Sequence, residues 1–97
     1  MSIAEGRDNF YFKDVINNTD FATTPTYHWK TTTNHIILIN DAKVNSILFS
    51  FNGEDIDGEL FPRDKSITMN WKKASRIWLK VSSGVTPTDF RLWAWID

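Results

Sequence analysis

In three stretches between Ser66 and Asp97, apolar side chains recur at every second position. Ile67, Met69 and Trp71 alternate with Ser66, Thr68 and Asn70. Ile77, Leu79 and Val81 alternate with Arg76, Trp78, Lys80 and Ser82, and Phe90, Leu92, Ala94 and Ile96 alternate with Arg91, Trp93, Trp95 and Asp97. Successive side chains of an extended strand point to opposite faces, so this period of two commits the segment to β-structure with one face turned inward. A helix needs apolar residues three and four apart, and no window of the chain sustains that spacing.

The same reading, extended upstream, places strands over Phe10 to Ile16, Thr26 to Thr31, His35 to Asn40, Ile47 to Asn52, Glu59 to Phe61, Ser66 to Trp71, Arg76 to Ser82 and Thr88 to Ile96. Asn52-Gly53 and Asp57-Gly58 supply turn residues that tolerate positive φ. Short, evenly spaced strands of this kind predict an all-β fold, a single antiparallel β-sandwich of jelly-roll or Ig-like type with seven to eight strands. HIILIN, apolar almost without a break, reads as a strand covered on both faces. Residues 17 to 26 are polar and read as a long loop, and residues 1 to 9, which carry no periodicity, as an extended arm before a domain over 10 to 97.

With 97 residues and no Cys, the chain depends on apolar burial or on partner chains for its stability. A net charge of -1 provides no global attraction to nucleic acid or to an anionic membrane, and both are disfavoured as partners. No stretch approaches the roughly 20 apolar residues of a spanning helix. MSIAEGRDNF lacks the apolar core of a secretion signal, so synthesis in a cytoplasm is expected.

Residues suited to chemistry are sparse. Without Cys there is no thiol catalysis or thiolate metal site. His28 and His35 flank no recognisable motif, and none of the serines lies in a G-x-S-x-G elbow. The acids Glu54, Asp55, Asp57 and Glu59 fall within six residues, and Asp55, Asp57 and Glu59 are the candidates for a Ca²⁺ site. Their spacing matches no EF-hand loop, so they are expected to be solvated turn acids. Lys72, Lys73 and Arg76 are expected to form the solvated end of a turn between two strands. The expectation is a chain without catalytic residues, metal or cofactor.

Five Trp in so short a chain call for more explanation. A hairpin joining the last two strands across Ser83 to Pro87, with both apolar sets on one face, would set Trp78 beside Trp93 on the other, with Trp95 close by. Such a face could be covered by the chain itself, by a sugar ring stacked on Trp78 and Trp93, or by a neighbouring protein. Protein contact is the preferred reading. The expected interface residues are Phe10, Tyr11, Phe12, Trp78, Trp93 and Trp95.

The order of strand phrases carries a resemblance. IILINDAKVNSI is an apolar strand followed by Asn-Asp. FSFNGEDIDGEL is a strand closed by a glycine turn, FPRDKSITM is a Pro turn entering a strand, and SRIWLKVSSGVTPTDFRLWAWI is a strand, turn and strand. Between His35 and Ile96 this resembles the small β-sandwich proteins of tailed-bacteriophage particles that decorate capsids or join fibres to them. The resemblance implies a non-enzymatic virion protein, docked as a homo-oligomer or in multiple copies on capsid or fibre subunits. The competing reading is a carbohydrate- or receptor-binding module of a tail fibre or spike.

Overall fold

The computed structural model describes residues 9–63, 65–82 and 87–96. The expected arm is therefore described only at Asn9, and the turn at 83–86 lies outside the described residues. Among the described residues six strands form one open antiparallel sheet, with no helix. They are β1 (Asn9–Ile16), β2 (Tyr27–Asn40), β3 (Ile47–Ser50), β4 (Gly58–Leu60), β5 (Lys65–Val81) and β6 (Thr88–Trp95), arranged in the order β1-β6-β2-β5-β3-β4.

Six strands stand where seven to eight were expected, because two anticipated breaks are bends within longer strands. The segments 26–31 and 35–40 belong to β2, which is 14 residues long, and 66–71 and 76–82 belong to the 17-residue β5. Thus Lys72, Lys73 and Arg76 mark a corner inside one strand rather than a turn between two. At that corner His35 pairs with Asn70, Thr33 with Ala74 and His28 with Arg76, so surplus residues fall first on β5 and then on β2. Surplus residues of this kind are bulges, which bend a strand and sharpen its twist. Trp71 lies at the first of them with φ of 64°.

The bend gives the β2–β5 ribbon different neighbours on its two sides. Before it, residues 35–40 of β2 lie between β5 and β6; after it, residues 78–81 of β5 pair with β3. The expected β5–β6 hairpin is not formed. Instead β6 lies between β1 and β2, with Trp93 opposite both Tyr11 and Ile37, while Trp78 lies opposite Ser50. The two Trp are not neighbours, because the corner carries the end of β5 away from β6.

One hydrophobic cluster draws on every strand: Ile16, Trp29, Ile36, Leu38, Ile47, Phe49, Leu60, Ile77, Leu79, Val81, Phe90 and Leu92 among others. Each fully buried aliphatic or aromatic side chain contributes about 1.5–3 kcal/mol. Phe10 and Phe12 belong to this interior, half-buried with rings 6.4 and 6.2 Å from Trp29, and Phe12 stacks on Tyr27 at 4.2 Å. HIILIN proves central in the sheet, yet only one of its faces is sealed: Ile36 and Leu38 are fully buried, Ile37 and Ile39 half so.

Candidate contact face

The register of β1, β6 and β2 sorts side chains into two sets. Even-numbered residues from Phe10, Phe12, Ala94, Leu92, Ile36 and Leu38 point to the core. Tyr11, Lys13, Val15, Trp93, Trp95, His35, Ile37 and Ile39 lie on the opposite, outer face. Tyr11 is 47% exposed, and its ring meets Trp93 at 4.5 Å. In the next row His35 stacks on Trp95 at 5.3 Å with an interplanar angle of 12°, and Trp71 leans on the same imidazole at 4.8 Å. The outer face therefore carries an aromatic row made by three strands and the β5 corner.

Exposure along that row is uneven. Trp95 is only 5% exposed, and its Nε1 has no hydrogen-bond acceptor among the described residues. His35 is as deeply buried, with Nδ1 bonded to Asn70 Oδ1 at 3.0 Å. Trp71 is 71% exposed. The alternation Ile67, Met69, Trp71 predicts an inward ring, but the positive φ at the bulge rotates the side chain out of phase. Sequence periodicity misses Trp71 for that reason.

Trp78 lies elsewhere, covered by its own chain. Its Nε1 donates to Ala22 O at 3.1 Å, Arg76 sits 5.3 Å over its ring, and it is 5% exposed. The covering segment, residues 17–26, follows the edge of β5. Asn18 Nδ2 donates to Leu79 O, Val81 N donates to Asn18 O, and Leu79 N donates to Thr26 Oγ1, all at 2.8 Å. Lys80 extends over Phe21 at 4.5 Å. A sugar ring could not lie across Trp78 and Trp93 together.

The acidic turn spends its side chains on itself. Asn52 Oδ1 accepts from the amides of Glu54 and Asp55, Asn52 Nδ2 donates to Asp55 Oδ2, and Asp57 Oδ2 accepts from Phe51 N at 2.8 Å. Among the described residues no three His or carboxylate side chains converge as metal ligands, Asp55, Asp57 and Glu59 included. Gly53, with φ of 81°, permits the turn and a close approach: an added Cβ would fall 2.7 Å from Trp78 Cε2.

Beside Tyr11 lies an open depression of about 670 Å³, lined by Lys13, Asp14, Val15, Asp41, Asp89 and Arg91 among others. Arg91 clamps Asp41 through two bonds of 2.6 and 2.7 Å. Tyr27 donates to Asp14 Oδ2 at 3.2 Å; burial first, then the Asp14 charge and this bond, push its phenol up to about 12.

No family model matches the chain, and no curated protein does. The partly open aromatic rings and half-buried aliphatics of this face suit shape complementarity with another apolar surface.

Proposed function

We propose that this chain is a non-enzymatic structural protein of a bacteriophage particle that acts by protein–protein contact through the outer face of β1, β6 and β2. The observation that carries the contact reading is the Tyr11–Trp93 pair, left partly open beside half-buried Ile37 and exposed Trp71. An aromatic surface of this kind supplies large contact area at low entropy cost. The particle assignment rests on the resemblance between His35 and Ile96, and it carries with it capsid or fibre subunits as partners. In the same reading the fold is a β-sandwich made by bending one sheet at the β2–β5 corner; supporting this, a single core takes side chains from all six strands.

Tyr11→Ala combined with Trp93→Ala is expected to remove the chain from purified particles, counted by mass spectrometry, while the isolated protein keeps its β-type circular dichroism. Unchanged copy number with the double variant would overturn the reading. The glycan-binding alternative keeps Trp93 but loses Trp78 as its second platform, since Ala22 and Gly53 occupy that ring.

A further inference from the structure

We propose that two copies of this chain pair antiparallel through β1, centred on Phe12, to join their sheets across a two-fold axis. The sheet has two edges of very different character. The β4 edge is three residues long and carries Glu59, which blunts it; β1 offers eight residues. Val15 N donates to the carboxylate of its neighbour Asp14 at 2.8 Å, and Asp89, its partner on β6, turns its carbonyl the other way to accept from Asp41 N at 2.9 Å, so the Val15 amide points out of the sheet. Backbone groups alternate in direction along a strand, and therefore the amides of Tyr11 and Lys13 point outward as well, while those of the even-numbered residues face β6.

Those directions choose both the pairing and its register. A second β1 can continue both cores only if even-numbered residues lie opposite even-numbered ones, since a one-residue slip would turn each inward set outward. Centring on Phe12 meets that condition. It sets Tyr11 opposite Lys13 of the second copy, so the outward amides of these two residues meet as hydrogen-bonded pairs, while Asn9 comes opposite Val15, whose amide stays on Asp14. Centring on Lys13 or on Asp14 would oppose like charges, which is unfavourable in a cross-strand pair. Centring on Tyr11 would pair a shorter run of the described strand, residues 9–13 rather than 9–15. In the favoured register each Lys13 ammonium comes beside the Tyr11 ring of the other copy, a cation–π arrangement. A second copy is the fitting occupant because the edge is complementary to itself. A β1-to-β4 contact would instead match eight residues with three, so growth stops at two copies.

The test uses the full chain at about 100 µM, because a strand-edge contact is small and of modest affinity. Sedimentation equilibrium is expected to show the mass of two chains. Lys13→Pro deletes an outward amide and places a ring in the joint without removing a bond to β6, so it is expected to give a monomer with unaltered circular dichroism. A monomeric wild type, or a Lys13→Pro variant that dimerises as the wild type does, would overturn the proposal. Should the variant not fold, amide exchange of the wild type decides: Tyr11 and Lys13 are expected to gain about tenfold protection on concentration, and none would refute the pairing. Particle incorporation is a separate readout, so the failure of either idea leaves the other standing.

Discussion

Tyr27 shows how a side chain in the core wall acquires a pH dependence. Its phenol is raised from 10.0 to about 12 by burial and by Asp14. The folded state holds the proton more tightly than the unfolded one, so the linked stabilisation is complete below pH 10 and is lost as pH rises from 10 to about 12. Tyr27→Phe should flatten the alkaline fall in Tm across this window, and equal slopes for both proteins would contradict the assignment. Trp71 was legible in sequence as a strand residue but not as an exposed one, because periodicity carries no information about a left-handed φ. Trp93 is legible as an outward residue, since it lies in unbroken alternation, whereas Tyr11 is legible only as an interface candidate, because Asp14 interrupts the alternation of β1. Phe10 and Phe12, expected as interface residues with Tyr11, flank an outward residue and so face the core.

Among the elements, β1, β3, β4 and β6 lie close to where alternation and turn residues place them. The breaks expected within β2 and β5 are bulges, because Thr, Asn, Lys and Ser read as loop while the strand pairing resumes on both sides of the bend. Residues 17–26 are irregular, as their polar composition predicts, yet that composition carries no sign of their role as the cover of Trp78. The turn at Gly53 closes on the same indole. Gly53→Ala should cost about 1–3 kcal/mol, since a Cβ there meets both an unfavourable φ and the indole. A lowered midpoint in urea with a red-shifted Trp emission is expected, and an unchanged midpoint would show that the turn and the indole separate freely.

The way the elements are tied together rests on Asn40, which is fully buried at the end of β2. Its Nδ2 donates to Asn45 O and Leu60 O, its Oδ1 accepts from Ala42 N, and its neighbour Asp41 holds Arg91 of β6. The Asn-Asp after HIILI, conspicuous as a motif, is thus a junction between β2, β4 and β6. Asn40→Leu should destabilise by roughly 3 kcal/mol, because it strands buried carbonyl and amide groups. Chemical denaturation would measure this, and a loss within 0.5 kcal/mol, as for an ordinary surface change, would show that water replaces the amide. Alternation alone sufficed to establish β-structure, the inward set of β6 and the outward position of Trp93, since side-chain direction along a strand is local geometry. Which strands become neighbours, which Trp are covered and where β5 bends were decided by tertiary structure. Those outcomes depend on bulges and on contacts between residues far apart in the chain, and no local pattern encodes them.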